Sequence, residues 1–501
     1  MDLIANLSLG FSHALEIKNI LFCFVGVLLG TAIGVLPGLG PLATISMLLP
    51  LTYALDPISS LIMLAGIYYG AQYGGSTAAI LVNLPGESSS VVTAIDGYKM
   101  AQQGRAGAAL AIAALASVFA GTVSTGVVAA FSPILSNVAS SFGSTEYFSL
   151  MVLGLVAAVI LAHGSLLKAI CMVLVGLILG CIGVDASSGS YRFTFGFLEL
   201  SSGLEFVALA MGMFAFADII STVAEKTGSG PAIHKITSLW PNKKEFDAAA
   251  PAAVRGTLIG SVLGVLPGGG AALASFAAYT LEKRVSREPR KFGNGAVEGV
   301  AGPEAANNAA AQTSFIPMLT LGLPSNGVMA LMMGAMMINN ISPGPQVMTT
   351  NPDLFWALIA SMWVGNVLLV VLNLPMVGLW VKLITIPYKV LYPAILMFCV
   401  VGLYSIQNQT FEIYIAAIFG FVGYLLVRMK CEPAPLLLGF ILGPMLEENL
   451  RRTLQLSRGD PWIFVTHPIS AGILLVALAL LLVTVLPQIR NKREEVFSEA
   501  E

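Results

Sequence analysis

The sequence predicts an all-α polytopic membrane protein with about 10–14 transmembrane or re-entrant helices, built from two inverted-topology repeats with broken helices. Three observations support this fold class. Of the 501 residues, 56% are hydrophobic and only 10% are charged, whereas soluble domains carry about 25% charged residues. Long apolar runs recur along the chain, and one motif rich in glycine and proline occurs twice. The composition therefore excludes a soluble globular protein.

The longest apolar runs approach or exceed the roughly 20 residues that cross a bilayer as a helix. They are residues 21–36, 108–131, 148–162, 166–184, 354–377 and 469–486. Helices are expected because hydrocarbon offers the backbone no hydrogen-bond partner, and because these runs lack the alternation of a membrane barrel. The N-terminus has no pattern of a cleavable signal, so we expect the first membrane helix to target the protein.

Charge and cysteine content exclude several function classes. The net charge of −2 gives no electrostatic basis for binding nucleic acid. The five cysteines are scattered, without the close spacing of a zinc site or a redox motif. No catalytic arrangement of side chains stands out, and the glycine-rich segments lack the Gly-Lys-Ser/Thr ending of a phosphate loop. We therefore expect neither an enzyme nor an ATP-driven machine, and no cofactor.

An internal repeat divides the chain into two related halves. Residues 27–45 read VLLGTAIGVLPGLGPLATI and residues 257–275 read TLIGSVLGVLPGGGAALAS, aligned without a gap at a shift of 230 positions. A weaker match follows, YGGSTAAILVNLPGESS from Tyr73 against QTSFIPMLTLGLPSNGV from Gln312. We expect a first repeat half at 1–225, a basic inter-repeat loop at 226–249, a second half at 250–465, and a C-terminal transmembrane helix with a cytoplasmic tail at 466–501.

The charges that follow the two motifs predict opposite orientations of the halves. The loop LTYALDPISS after the first motif has no Lys or Arg, whereas LEKRVSREPRK after the second has five. Short loops rich in Lys and Arg stay in the cytoplasm, so the second loop belongs inside and the first can lie outside. Inverted repeats are typical of alternating-access transporters, in which broken helices hold the substrate near the bilayer midplane.

The repeated GVLPG motif predicts a break in each helix. Proline lacks an amide hydrogen and glycine permits conformations closed to other residues, so continuous helix is strained there. The exposed amides and the positive end of the following half-helix suit a carboxylate. The predicted binding residues here are Pro37, Gly38, Gly40, Pro267, Gly268, Gly269 and Gly270. Alternatively, these glycines and prolines are kinks that allow close helix packing.

The second motif supplies neutral polar groups beside each break, which can hold an anion without the cost of burying a cation. The predicted binding residues in this motif are Gly74, Gly75, Ser76, Thr77, Asn83, Pro85, Gly86, Ser88, Asn307, Asn308, Gln312, Thr313, Ser314, Pro324, Ser325 and Asn326. For the hydroxyl groups, bonding back to helix carbonyls is an equally open interpretation. We expect Glu87, Asp96, Lys99 and Arg105 to lie outside the hydrocarbon, although Glu87 approaches the site if this motif is a re-entrant tip.

Three stretches carry a family resemblance: GTAIGVLPGLGPLATISMLLPLTYALDP, YYGAQYGGSTAAILVNLPGESSSVVTAIDGYKMAQQGRAGAAL and GPEAANNAAAQTSFIPMLTLGLPSNGVMALMMGAM. The chain resembles the large membrane subunit of the bacterial tripartite tricarboxylate transporters, the TctA family, over essentially its whole length. The resemblance implies the bacterial inner membrane, a small TctB-like membrane subunit and a TctC-like periplasmic binding protein as partners. It also implies symport of citrate or another organic carboxylate, coupled to a sodium ion or a proton.

The resulting hypothesis is a secondary active transporter that works by alternating access. Carbonyl groups freed near Gly38 and Gly268 are the expected place for sodium, since unwound helix backbone in transporters commonly coordinates it. A passive channel for small anions is the main alternative, because glycine-rich re-entrant segments also suit a pore. A polytopic membrane enzyme is a weaker alternative, since it requires a titratable cluster near an interface.

Overall fold

The structure is a computed structural model that describes residues 3–36, 40–83, 87–139, 141–162, 165–185, 188–224, 240–266, 270–384 and 388–485. Within these ranges the chain forms 23 α-helices and a single two-stranded antiparallel ribbon. The prediction of an all-α polytopic fold is therefore confirmed. The predicted basic loop 226–249 lies largely outside the described residues, and the next helix already begins at Lys243.

The first part of the chain contributes ten α-helices. They are α1 (Leu3–Ala14), α2 (Ile17–Gly34), α3 (Pro41–Leu48), α4 (Pro57–Val82), α5 (Val91–Gln102), α6 (Ala106–Ala139), α7 (Ser144–Leu161), α8 (Leu166–Gly180), α9 (Phe206–Ala210) and α10 (Ala217–Ala224). A π-helix over Met211–Phe216 joins the last two into one rod. Strands β1 (Gly183–Val184) and β2 (Tyr191–Arg192) form the ribbon.

In the described residues from Lys243 onward, the chain forms thirteen α-helices. They are α11 (Lys243–Val265), α12 (Gly270–Val285), α13 (Glu298–Thr313), α14 (Phe315–Leu321), α15 (Gly327–Ile338), α16 (Val347–Thr350), α17 (Pro352–Asn373), α18 (Val377–Ile384), α19 (Tyr388–Gln407), α20 (Phe411–Arg428), α21 (Ala434–Leu456), α22 (Ile463–Thr466) and α23 (Pro468–Val485). Short 3-10 segments occupy Leu49–Ala54, Ser88–Ser90, Leu198–Ser202 and Pro289–Lys291.

Among the described residues, six helical rods are long and apolar enough to cross a membrane: α2, α6, the rod 206–224, α11, α17 and α20. Six further apolar helices are shorter. Each apolar run predicted from the sequence coincides with a helix, namely α2, α6, α7, α8, α17 and α23. The multi-pass character follows from this match.

Some helices of the fold are almost entirely buried, whereas the helices at its periphery expose large apolar side chains. Helix α4 is buried along nearly its whole length, and α13 is buried from Gly299 to Thr313. Outer helices instead expose large apolar side chains, such as Val262 on α11 and Phe421 on α20. This distribution suits a protein whose outside faces hydrocarbon, because lipid tails impose no penalty on exposed apolar surface.

Both predicted helix breaks are present. Helix α2 ends at Gly34 and α3 begins at Pro41, while α11 ends at Val265 and α12 begins at Gly270. The tips of the two motifs, residues 37–39 and 267–269, lie outside the described residues. The interruption of each GVLPG segment is confirmed at its flanks.

The repeat is visible in how the helices pack. In the first half, a Cβ added to Gly26, Gly30 or Gly34 of α2 would lie 2.2–2.5 Å from the carbonyl oxygens of residues 63, 67 and 71 on α4. In the second half, a Cβ added to Gly256, Gly260 or Gly264 of α11 would likewise lie 2.1–2.4 Å from the carbonyl oxygens of residues 302, 306 and 310 on α13. The shift is 230 positions on the first helix of each pair and 239 on the second. Glycines that precede the breaks therefore serve close packing.

The second motif also repeats its backbone geometry at the shift of 239. Asn83 ends α4 in the left-handed conformation with φ 56°, and Gly322 ends α14 with φ 68°. Four residues later, Glu87 and Asn326 are both extended, with φ −151° and −156°, before the next helix starts. The chain thus turns in the same way after each core helix.

Candidate functional site

A buried polar network lies where core helices of the two halves meet. It is built on α4, α5 and α6 from the first half and on α13 and the segment before α15 from the second. Its buried members are Gln72, Ser76, Ser89, Ser90, Thr93, Ser117, Thr125, Glu304, Asn307, Asn308, Gln312, Ser314 and Ser325. Such groups are costly at membrane depth unless they are paired, so they mark a candidate functional site.

Glu304 is the centre of this network, and the sequence reasoning missed it. Its side chain is 1% exposed. Ser76 Oγ of α4 donates to Glu304 Oε1 at 2.7 Å, Thr93 Oγ1 of α5 donates to the same oxygen, and Ser117 Oγ of α6 donates to Oε2 at 3.3 Å. Three helices of the first half therefore converge on one carboxylate of the second.

Asn307 and Asn308 extend the network along α13. Asn307 Nδ2 lies 3.5 Å from Glu304 Oε1, and Asn308 Nδ2 donates to Ser117 Oγ at 2.8 Å and to the Asn307 side-chain oxygen. Residues three and four positions apart share one face of a helix, so Glu304 and both asparagines point the same way. This spacing is the signal that could have identified Glu304.

A second carboxylate, Glu87, stands at the edge of the network. It is half-buried, and Ser89 Oγ bonds to its Oε1 while lying 3.0 Å from Gln72 Oε1. A Cβ on Gly75 would lie 3.3 Å from Glu87 Cγ, so the glycine makes room for this side chain. Glu87 also interacts electrostatically with Glu304. Two acidic groups thus face one polar space.

The second half contributes a further polar contact through the segment before α15. Asn326 caps α15 by accepting from the amide of Met329 at 2.9 Å, and its Nδ2 lies 3.5 Å from the Tyr68 hydroxyl of α4. Ser325 Oγ donates to the carbonyl of Ser314 at 3.3 Å. Asn326, predicted in the second copy of the motif, therefore lies beside α4, the helix that carries the start of the first copy.

Each helix that follows a GVLPG break packs against the other half. Leu42 of α3 contacts Gly327 at the start of α15, where an added Cβ would lie 2.9 Å from Leu42 Cδ2. Helix α12 in turn packs against the 3-10 segment Ser88–Ser90 and against α5. The second motif of each half is thus flanked by the broken hairpin of the opposite half.

The predicted site residues fall into three groups. Those in or beside the network are Gly75, Ser76, Asn307, Asn308, Gln312, Ser314, Ser325 and Asn326. Those that cap, turn or pack are Gly40, Gly74, Thr77, Asn83, Gly270, Thr313 and Pro324. Pro37, Gly38, Pro85, Gly86, Pro267, Gly268, Gly269 and the side chain of Ser88 lie outside the described residues.

For two threonines the structure favours the structural interpretation. Thr77 Oγ1 donates to the carbonyl of Tyr73 at 3.1 Å, and Thr313 Oγ1 donates to that of Ala309 at 3.0 Å. Both bonds run back to the carbonyl four positions earlier in the same helix, as expected of Thr in buried helices. Thr313 also packs against Gly264 of α11. These hydroxyls are already paired within their own helices.

A small cavity touches the central carboxylate. Its volume is about 10 Å³, close to the space that one water molecule needs. It is lined by Glu304 together with Tyr73, Ser76 and Thr77 of α4 and Ser117 of α6. Across the described ranges, no group of three or more His, Cys, Asp and Glu side chains could hold a metal ion.

Comparisons with known proteins identify a family and two related sequences. The tripartite tricarboxylate transporter TctA family matches residues 20–438. An uncharacterized 52.8 kDa protein in the TAR-I ttuC′ 3′ region of Agrobacterium vitis is 58% identical over 499 residues, which covers 100% of this chain and 99% of that protein. A second protein from the TAR-II ttuC′ 3′ region of Agrobacterium vitis is 60% identical over 240 residues, 48% of this chain and 99% of its own length. No solved structure matches. With the family covering most of its length, this chain belongs to the tripartite tricarboxylate transporter TctA family.

Proposed function

We propose that this chain forms the transport pathway of a binding-protein-dependent secondary transporter that imports tricarboxylates, such as citrate, or related organic carboxylates. The observation that carries the proposal is the buried polar network, which is shared between the two halves next to their helix breaks. Transporters of repeat architecture hold their substrate at such a place. Family membership supports the transport class.

Alternating access requires two halves of opposite orientation, and the contacts between helix ends support this. Arg105 pairs with Glu245 at 2.6 Å, which joins the starts of α6 and α11. The other end of α6 bonds to the segment before α17 through Ser136. Asp353 at the start of α17 lies next to the end of α1. A short link joins this end of α1 to the start of α2. Helices α2 and α11 therefore begin at opposite ends of α6.

The site suits a carboxylate only when its own negative charge is balanced. Neutral amide donors on Asn307, Asn308 and Asn326 can hold carboxylate oxygens, but Glu87 and Glu304 lie in the same region and would repel an anion. A cation that enters with the substrate removes this repulsion. The charge of the site thus supports the proposal of coupling to a sodium ion or a proton gradient.

The remaining parts of the proposal come from the family. A small membrane subunit of the TctB kind and a periplasmic solute-binding protein of the TctC kind are the proposed partners. The proposed location is the bacterial inner membrane, with the C-terminus in the cytoplasm. The described helices make the chain multi-pass, as this assembly requires.

The test is concentrative uptake in proteoliposomes that contain the chain with both proposed partners. Labelled citrate and other di- and tricarboxylates are supplied under imposed sodium or proton gradients, and Asn308→Leu is compared with the native chain. We expect uptake to fall to background in this variant, because Leu removes the amide bonded to Ser117 and to the carbonyl of Glu304.

Asn449→Leu is the matched control. Asn449 also bonds back to a carbonyl four residues earlier, that of Met445 at 2.8 Å, but it lies on α21 outside the network. Its uptake should remain native. Solute that only equilibrates across the membrane would indicate a passive channel, and native uptake by Asn308→Leu would contradict the placement of the site.

A further inference from the structure

We propose that Glu304 is the residue that carries the coupling proton, taking it up with the carboxylate and releasing it on the other side of the membrane. The inference rests on the proposed transport function and names the group responsible for coupling. Three features of Glu304 support this role: the burial of its carboxyl group, the identity of its hydrogen-bond partners and the rotations that those partners allow.

Glu304 is a buried acid, and its hydrogen-bond partners in the described part of the chain carry no charge. Its hydrogen-bond partners, Ser76, Thr93, Ser117 and Asn307, are all neutral. Among the residues that the structure describes, no Lys, Arg or His forms an ion pair with it. An isolated carboxylate in such a place is costly, and binding a proton removes the cost.

The titratable groups that the structure describes around Glu304 supply no unpaired positive charge. Glu87 faces it from the segment before α5, and Tyr73 faces it from α4. On the side of α11 and α12, Arg255 and Glu282 neutralise each other through a bidentate pair at 2.6 and 2.7 Å that lies next to Gly302.

Two further titratable groups pack near the start of α13. Asp96 of α5 accepts from the Tyr279 hydroxyl of α12 at 2.9 Å beside Gly299, more than one turn before Glu304. That carboxylate is fully paired, since it also accepts from the amides of Gly293, Gly295 and Ala296. Within the described ranges, therefore, no cationic side chain competes with a proton for Glu304.

Ser76 can serve both charge states of Glu304 without any movement of heavy atoms. Its single hydroxyl hydrogen has two acceptors within reach, Glu304 Oε1 at 2.7 Å and the carbonyl of Gln72 at 3.1 Å. With Glu304 ionised, the hydroxyl donates to the carboxylate. Once a proton binds the carboxylate oxygen, the new O–H donates to Ser76 Oγ, whose own hydrogen turns to Gln72.

Thr93 and the small cavity beside Glu304 also contribute to the binding and release of the proton. Thr93 donates to Glu304 from α5 and, by this bond, favours the ionised state. The cavity of about 10 Å³ beside Glu304 has room for about one water molecule, the usual carrier of a proton to a buried group. The proton comes from water on one side and returns to water on the other, so the step needs no further reactant.

The experiment compares Glu304→Gln with the native chain in the three-component proteoliposomes. The probes are the labelled carboxylate that the native chain accumulates from the citrate-containing panel, and the fluorescence of trapped pyranine, which reports proton entry. Gln keeps the shape of the side chain and one oxygen that can accept from Ser76 and Thr93, but it cannot take up a proton. We expect exchange of labelled for unlabelled carboxylate to persist, while concentrative uptake and proton entry are lost.

The control is Glu146→Gln, another buried glutamate. Glu146 accepts from the amide of Gly143 at 2.9 Å and lies 3.1 Å from His467, away from the network. Its uptake and proton entry should match those of the native chain. Proton-coupled accumulation by Glu304→Gln would overturn the inference, and so would native uptake that follows a sodium gradient without proton entry. A native chain that accumulates no carboxylate under either gradient would instead refute the proposed function.

A second variant keeps the inference testable if Glu304→Gln does not fold. Thr93→Val has nearly the same shape but removes one donor to the ionised carboxylate. The pH of half-maximal uptake should therefore move in the alkaline direction, by about one pH unit. An unchanged pH profile in a folded Thr93→Val transporter would contradict a role for Glu304 in carrying the proton.

Discussion

The glycine contacts between α11 and α13 make the change Gly260→Ala a sharp test of the packing. An added Cβ at Gly260 would lie 2.1 Å from the carbonyl oxygen of Ala306 and 2.8 Å from Ala309 Cβ. A carbon–oxygen contact needs about 3.3 Å, so the two helices must separate by about 1.2 Å. Both obstacles belong to a packed helix and cannot rotate away.

The separation has an energetic and a functional consequence. Overpacking of this kind costs about 1–3 kcal/mol and occasionally more, which exceeds the roughly 1 kcal/mol that Ala gains over Gly in a helix. Helix α13 also carries Glu304 and Asn308, which would move with it. Because a misplacement of about 1 Å in a functional site can cost on the order of 100-fold, we expect carboxylate uptake to fall by 10- to 100-fold.

Gly126→Ala is the matched control, since no atom lies within 4 Å of a Cβ added there. Thermal unfolding of the purified variants and uptake in proteoliposomes are measured side by side. Gly30→Ala in the first half should behave like Gly260→Ala, because its Cβ would lie 2.3 Å from the carbonyl of Ile67. Equal melting temperatures and uptake for Gly260→Ala and Gly126→Ala would refute direct backbone contact between the helices.

Two further predictions concern charged groups outside the network. Asp96→Ala should lower the free energy of unfolding by about 3 kcal/mol or more, because three backbone amides of segment 293–296 lose their acceptor; an unchanged melting temperature would argue against this contact. Burial raises the pKa of Asp56, but hydrogen bonds from Lys18 and Ser59 outweigh it and lower the pKa below its usual value. The stabilisation is complete above the unfolded pKa and is lost as pH falls through the folded one, so the melting temperature of the native chain should drop in acid more steeply than that of Asp56→Asn.

Much of the fold could be predicted because its signals are local. Apolar runs locate the helices, and the paired GVLPG segments locate the interruptions at Gly34 and Val265, since proline and glycine act on their own stretch of chain. The shift of 230 positions predicted the equivalence of α2 and α11. The direct packing of the glycines of these helices on α4 and α13 could not be predicted, because sequence does not show which helix lies opposite.

The centre of the site could be predicted only in part. Asn307 and Asn308 stand out as polar residues in a membrane sequence, and Glu304 shares their helical face. The partners of Glu304 could not be found, because Thr93 and Ser117 are ordinary hydroxyl residues in their helices. Their proximity arises from how α5 and α6 pack against α13, which no local pattern specifies.

The contact of Asp96 with segment 293–296 could not be predicted, for a different reason. The sequence predicts that Asp96 lies outside the hydrocarbon, and the structure shows it fully buried and bonded to segment 293–296 of the other half. An acidic residue near a loop is usually solvated, so its sequence context gives no sign of a contact with residues about 200 positions away. Long-range pairing of this kind depends on the arrangement of the repeats.

The glycine stripes constrain how the molecule can deform. Where two helices touch backbone to backbone, as α2 does with α4 and α11 with α13, no layer of side chains lies between them that could slide or repack. Each of these helix pairs must therefore move as one rigid unit. Any large displacement has to be absorbed beyond these pairs, at Asn83 after α4 and at Gly322 after α14, the short helix that follows α13. Both residues adopt left-handed backbone, and the helical hydrogen bonding is already interrupted there.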